Sequence, residues 1–501
     1  AKGGGVGITI SSLRPRSARV YGVNGRSNGS VAWGELYSMV TLLVNQDGGR
    51  RGALMLAMND WHPDLMEFIR DKKKPGRKEG CNMSVLVSDR FMRALKNDEL
   101  WTFVFPDYEK AGMDVYDEEW DGCLETWVAK GYPVKTYGRL PAREIWDEIM
   151  QSAWESGEPG VIFIERANKM ANSYYYTQIV GSNPCGEQML PPNGVCCLGS
   201  IVLPRFVDER GVRWDELRRA VHTAVRFLDN VIDTTPYVLD EIREWQASER
   251  RIGLGTMGLG EMLLTMKLRY GSPESLEFVD ELYKFIAVEA YRASVHLAIE
   301  KGPFPRFDRD AFLESGFMKK MPEEIRRMVW KHGIRNVALL TQAPTGSIGT
   351  MVGTSTGIEP FYSWEYFRKG RFGKFKEEVA PVKEWRRQNP GQPLPEYFVT
   401  AMDLTPEEHM AVQAAVQRWV DASISKTVNM PSWYGVEETK KAYEKAYELG
   451  CKGLTVYRDG SREEQVLSIE EMEEEEGELK EVASSCGLVI GPNGVEKTCS
   501  M

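Results

Sequence analysis

Two hydrophobic periodicities alternate along the chain. Leu217, Val221, Ala224, Val225, Leu228, Val231 and Ile232 recur at the spacing of one helix face, whereas VIFI (161–164) and VALL (337–340) are short unbroken apolar runs of the kind that form buried parallel strands. The alternation predicts an α/β fold. Both runs lead into stretches rich in Gly, Pro, Ser and Asn, and in such folds the ends of buried strands carry the functional site. No internal repeat and no linker is legible before an acidic segment near the end, so the organisation expected is one large domain over 1–465 and a tail over 466–501.

Composition refines this picture in three places. With 501 residues and 42% hydrophobic content the chain has ample material for a large core. No apolar run approaches a membrane span, and AKGGGVGITI lacks the build of a signal peptide, so a cytoplasmic protein that binds no membrane is expected. The formal charge of −10 is mostly local: Glu470 to Glu481 holds eight Glu and one Lys, a net of −7, which leaves −3 for the remainder. Such a block reads as a solvated, flexible tail, and no basic stripe suggests nucleic acid as a partner.

The eight cysteines, Cys81, Cys123, Cys185, Cys196, Cys197, Cys451, Cys486 and Cys499, are sparse and form no C-x-x-C pair. A disulfide framework is not expected. His62, His222, His296, His332 and His409 show no ligand spacing, and no metal site is expected.

Three stretches carry candidate chemistry. In SNPCGEQM (182–189) a thiol stands two residues from an acid and two from an amide, which suits a metal ligand, a cysteine nucleophile with an acidic helper, or a structural thiol in a turn. QAPTGSIGTMVGTSTGIEP (342–360) is dominated by small residues whose amides, with the hydroxyls of Thr345, Ser347 and Thr350, suit an anion; the lysine of a Walker A loop is missing. RRIGLGTMGLGEML (250–263) contains a G-x-G-x-x-G run, Gly253 to Gly258, which follows a charged helical stretch rather than a strand, so its glycines are expected to serve close helix packing and not a dinucleotide.

Together, GGGVGI, GGRRGA, NPCGEQ, CCLGSI, RFLDNVID, RRIGLGTMG, APTGSIG, SISKT and GLTVYRDGSR, in this order and over nearly the whole chain, resemble the large catalytic subunit of ribonucleotide reductases, in particular the adenosylcobalamin-dependent class II enzymes. The resemblance implies a ten-stranded α/β barrel with a central finger loop carrying a radical cysteine, Cys185. Glu187 would be the base for the ribose 3′-OH and Asn183 would orient the ribose, three roles within five residues because all act on adjacent ribose atoms. Cys196 matches one member of the cysteine pair that supplies two electrons and becomes a disulfide; Cys197 receives no role.

The resemblance also implies a substrate contact set of Gly5, Asn183, Pro184, Cys185, Gly186 and Glu187, with Pro344, Thr345, Gly346, Ser347 and Ile348 around a diphosphate. Gln46 and Arg51 occupy the loop that relays the identity of a (deoxy)nucleoside triphosphate effector, and Cys486 and Cys499 correspond to a mobile pair reduced by a thioredoxin- or glutaredoxin-like protein. A homodimer is the family's common pattern. The first cysteine of the redox pair normally lies upstream of GGGVGI, and the sequence opens at Ala1, two residues before that motif, so the expectation is a fragment of a reductase or one half of a split one whose missing segment a second chain supplies. Where class I subunits carry adjacent tyrosines for a radical relay, this sequence has Thr455 and Val456, with Tyr457 alone following, which favours adenosylcobalamin over a radical-generating partner subunit. A catalytically incomplete nucleotide-binding fragment is the alternative of a different class.

Overall fold

The computed structural model describes residues 4–44, 52–73, 80–370, 373–459, 461, 488–491 and 494–497, with backbone alone for 366–370, 373–377 and the last two segments. Gln46, Arg51, Cys486 and Cys499 lie outside the described residues. The chain divides into two units: residues 1–364 with 378–464, and residues 365–377 with 465–501. Within the smaller unit, Leu488–Gly491 and Gly494–Lys497 pair as an antiparallel hairpin.

The elements of the larger unit that position the site are, in chain order, β1 (Gly5–Thr9), α1 (Ser30–Leu43), β2 (Ala53–Asn59), β3 (Asn82–Val87), α2 (Ala142–Ser156), β4 (Gly160–Phe163), β5 (Cys197–Val202), α3 (Trp214–Thr234), β6 (Ile252–Met257), α4 (Pro273–Lys301), α5 (Gly346–Val352), α6 (Pro406–Gln417), β7 (Thr427–Met430), α7 (Val436–Glu448) and β8 (Gly453–Arg458). Strands β1, β2, β3 and β4 run parallel, β8 joins β4 antiparallel, and β7 completes six strands parallel to β8.

Strands β2, β3 and β4 have two apolar faces, and the period of two sorts them. Leu54, Leu56 and Met58 of β2, Met83, Val85 and Val87 of β3, and Val161 and Phe163 of β4 belong to one core with Trp146 and Ile149 of α2 and Tyr443 of α7. The alternate residues Ala57, Leu86 and Ile162 face the other way, onto Ile179 and Met189. That second face is where the thiol-bearing loop sits.

The second array is built on β5 and β6, parallel from Cys197↔Ile252 to Val202↔Met257. Single parallel bridges, Leu254↔Leu340 and Gln342↔Ile424, extend it to two further extended segments. VALL is therefore buried, as its composition demands, but it contributes a bridge and not a full ladder. Ser425 donates its amide to Gln342, and β7 begins at Thr427, so one continuous segment passes from this array to the edge of the first. Among the described residues these ladders do not close into a ring.

Helix α3 forms where the periodicity places it, with Leu217, Val221, Val225, Leu228 and Ile232 buried and Asp215 and Glu216 in its first turn, where they complement the positive helix end. It packs with α4 and the β5–β6 pair in a second core. The Ser272 hydroxyl caps α4 by accepting from the Ser275 amide, and Thr405 with Glu408 forms a capping box on α6. No helix among the described residues is long and apolar enough to cross a membrane.

Candidate functional site

Residues 183–188 form the tip of a short hairpin whose stem pairs Ser182 with Met189 and Gly181 with Leu190. The turn is tight for identifiable reasons. The Asn183 side-chain oxygen accepts from the Gln188 amide at 2.9 Å, its carbonyl accepts from Gly186 at 3.0 Å, and Gly186 sits at φ +79, a left-handed conformation open to glycine.

Both arrays hold this loop. From the six-stranded sheet, the Asn82 amide donates to the Pro184 carbonyl at 3.0 Å. On β1 the approach is closer: a Cβ at Gly5 would lie 2.9 Å from Cδ of Pro184, and one at Gly7 only 1.8 Å from the Ser182 carbonyl oxygen. From the second array, the Thr341 hydroxyl and the Ser423 amide both donate to the Glu187 carbonyl, at 2.8 and 2.9 Å.

The result is an exposed Cys185 between the buried Pro184 and Glu187. Burial pushes the Glu187 carboxyl above its usual range, and the Asn183 side chain offsets part of the shift. Glu187 Oε2, both side-chain polar atoms of Gln188, and Ser423 Oγ have no hydrogen-bond partner among the described residues. Buried polar atoms are nearly always satisfied, so these four leave hydrogen-bonding capacity around the loop for water or a polar ligand.

Cys196 joins this group through β6. A Cβ at Gly253 would meet Gln188 Nε2 at 2.6 Å and Cys196 Sγ at 2.8 Å, so the thiol and the amide share one bare patch of backbone. Burial pushes the Cys196 thiol well up, with Arg251 pulling the other way. The Gly253 to Gly258 run is thus a correction to the expected helix packing: Ile252–Met257 is a buried strand, its Gly253 admits Cys196 and Gln188, and its Gly255 would bring a Cβ within 2.5 Å of the Thr341 carbonyl.

The 344–348 stretch lies just beyond Thr341 and runs from a short connection into the first turn of α5. Thr345 takes a left-handed φ of 51 at the N-cap position of the short α5 without a side-chain capping bond, while Gly346, Ser347 and Ile348 are exposed. Two of the three hydroxyls expected at an anion are occupied internally: Thr345 Oγ1 accepts from the Gly357 amide at 2.8 Å and Thr350 donates to the Gly346 carbonyl at 2.9 Å. A side chain at Gly346 would meet nothing within 4 Å. Lys426 of SISKT is fully buried, ion-paired with Glu359 and donating to the Thr427 carbonyl at 2.8 Å, with His409 Nδ1 2.9 Å away.

Gly7, Asn82, Gln188, Thr341 and Ser423 were not singled out by the sequence reading. For Gly7 a signal exists, since Gly5 and Gly7 alternate on one face of a strand, the pattern of close backbone approach. Asn82, Thr341 and Ser423 act through contacts distant in sequence. Among the described residues no group of three or more His, Cys, Asp or Glu is placed so that it could hold a metal ion.

A family model described as the ribonucleotide reductase barrel domain matches residues 1–457. The vitamin B12-dependent ribonucleoside-diphosphate reductase of Thermoplasma acidophilum is 34% identical over 504 residues, covering 96% of this chain and 60% of its own length. The protein of the same name from Mycobacterium tuberculosis is 35% identical over 489 residues, 93% of this chain and 65% of its own. The ribonucleoside-diphosphate reductase subunit alpha of Chlamydia muridarum is 26% identical over 556 residues, 99% of this chain and 53% of its own. The chain therefore spans 53–65% of the length of these relatives. A thiol, a buried carboxylate and a second thiol gathered at one loop, on a chain matched by that family model over 1–457, lead to one assignment: the chain belongs to the ribonucleotide reductase family.

Proposed function

We propose that the chain reduces ribonucleotides, as diphosphates, to 2′-deoxyribonucleotides by thiyl-radical chemistry. The observation that carries this reading is the pairing, on one loop, of an exposed Cys185 with a buried Glu187 whose Oε2 is unpartnered. A thiyl radical on Cys185 takes the hydrogen atom from C3′, leaving Cys185 as a thiol and the ribose as a C3′ radical. Glu187 accepts the 3′-OH proton while the 2′-OH, protonated, departs as water. Cys196 and a second cysteine thiol supply two electrons and two protons, one proton to the departing 2′-OH and one to C2′, and become a disulfide; Glu187 returns its proton to the 3′ oxygen, and Cys185 then returns its hydrogen atom to C3′ and is a thiyl radical again. Asn183, already fixed by the Gln188 amide, orients the ribose.

The residues fit adenosylcobalamin in one respect: Cys185 is the exposed member of an otherwise largely buried loop, so a bulky group outside the fold can reach its sulfur. When bound, that cofactor supplies the radical that generates the thiyl. Relatives named vitamin B12-dependent, at 34% and 35% identity against 26% for the subunit alpha, favour this over a class I partner subunit. We read the two strand arrays as parts of the ten-stranded barrel, with 183–188 as its finger loop. Pro344 to Ile348 cradles the diphosphate with backbone amides, and Gly5 lies against the ribose. A homodimer, an effector read through Gln46 and Arg51, and reduction by a thioredoxin- or glutaredoxin-like protein through Cys486 and Cys499 belong to the same reading. The test is turnover of a ribonucleoside diphosphate by the full-length protein with a dithiol, with and without adenosylcobalamin. Product only with the cofactor is expected; turnover with a metal-loaded partner subunit and no cobalamin would move the protein to class I.

A further inference from the structure

Beneath the loop lies a buried polar cluster that the proposed chemistry does not use. Lys452, the residue before β8, is 3% exposed and donates from Nζ to the carbonyls of Asp421 and Ala422, both at 2.6 Å. The Asp421 carboxylate, also buried, accepts from the Leu339 amide at 2.8 Å, the Leu340 amide at 2.9 Å and the Tyr291 hydroxyl at 2.7 Å. A cavity of about 10 Å³ separates this pair from Met189 in the stem of the thiol-bearing hairpin, with Arg251 also on its wall.

The connectivity outward from this pair is what matters. The Glu187 carbonyl has two donors, Ser423 N–H and Thr341 Oγ1. Lys452 fixes the two carbonyls immediately before Ser423. Asp421 fixes the two amides immediately before Thr341. Both donors to Glu187 are thus set from one centre that touches neither Cys185 nor Glu187.

We propose that Lys452 and Asp421 are positioning residues that hold the Cys185–Glu187 loop in register with both strand arrays. Burying an ammonium is expensive, and burial pushes Lys452 down to about 7, against the pull of Asp421 and with Lys320 and Arg166 adding to the fall. A lysine kept at such a position, with Nζ directed at two main-chain carbonyls, fixes geometry. The effect on turnover rests on the reductase reading; the effect on the loop does not.

The experiment compares Lys452→Met with the parent in the full-length protein, reading the rate of iodoacetamide labelling at Cys185 by mass spectrometry, with Cys123 as the internal reference. Loss of these two buried hydrogen bonds should change the Cys185 to Cys123 labelling ratio by about fivefold or more. Thr341→Val, which removes one donor to the Glu187 carbonyl and leaves the cluster intact, should shift the ratio in the same direction by a smaller factor, and it serves if Lys452→Met does not fold. In turnover, Lys452→Met should lower kcat by about tenfold with KM for the diphosphate within about twofold. An unchanged labelling ratio in a folded Lys452→Met, or in Thr341→Val where the former does not fold, overturns the inference. A shifted ratio in a protein without reductase activity sustains it and rejects the reductase reading instead.

Discussion

The loop carrying Cys185, at the tip of a short hairpin, and the stretch from Pro344 into the first turn of α5 are held in opposite ways. The first receives hydrogen bonds from both arrays, lies against bare backbone at Gly5 and Gly7, and buries Glu187. The second places Gly346, Ser347 and Ile348 at the surface and turns two of its three hydroxyls inward. The difference follows the chemistry each is proposed to perform. Moving a hydrogen atom between one sulfur and one carbon demands a fixed position, whereas binding a diphosphate through amides demands only small residues and room.

Glu187 gives the largest effect that separates the loops. Glu187→Gln should lower kcat by about 10²–10⁴-fold, the usual contribution of a general base, measured at saturating diphosphate. The same variant has a stability signature. Because burial raises the Glu187 carboxyl, the folded state favours its protonated form; that contribution is present below the ordinary carboxylate value and is lost as pH rises through the raised one. Glutamine has no such loss, so the Tm of the variant should gain on the parent as pH rises from 4 toward 8.

Gly7→Ala comes next. With its Cβ 1.8 Å from the Ser182 carbonyl, strand and loop must separate, at about 1–3 kcal/mol in chemical denaturation and with a clear fall in turnover. Stability equal to the parent would show that β1 does not press on the loop. Gly346→Val sharpens the contrast: its Cβ meets nothing within 4 Å, so the fold should persist while titration calorimetry shows diphosphate affinity lowered about tenfold or more by lost amide contacts. Ser347→Ala is the smallest effect, about 0.5–1.5 kcal/mol of binding at most. Equal, unchanged affinities in both variants would place the phosphates elsewhere.

The parts legible in the sequence are those written locally. The stripe from Leu217 to Ile232 is a helix because five of its residues fall on one buried face, and Asn183, Cys185 and Glu187 stand together because a six-residue turn keeps them together. The strand at Ile252–Met257 is hidden in the sequence because a charged helical stretch precedes its glycines, whereas what they serve is the approach of Cys196, Gln188 and Thr341 from remote segments. Thr345 and Thr350 illustrate the same limit: composition supplies hydroxyls, but which way they turn is set by Gly357 and by the turn of α5. The Lys452 and Asp421 cluster joins residues far apart in the chain, and no spacing rule reaches across that gap.

Cys185→Ser in the full-length protein tests the central claim most directly. Serine preserves shape and polarity, but its O–H bond is too strong to yield the radical that must take hydrogen from C3′. Deoxynucleotide formation with adenosylcobalamin and a dithiol should vanish while calorimetric affinity for the ribonucleoside diphosphate stays within about twofold of the parent. Product at a rate near that of the parent would contradict the assignment of Cys185 as the thiyl centre.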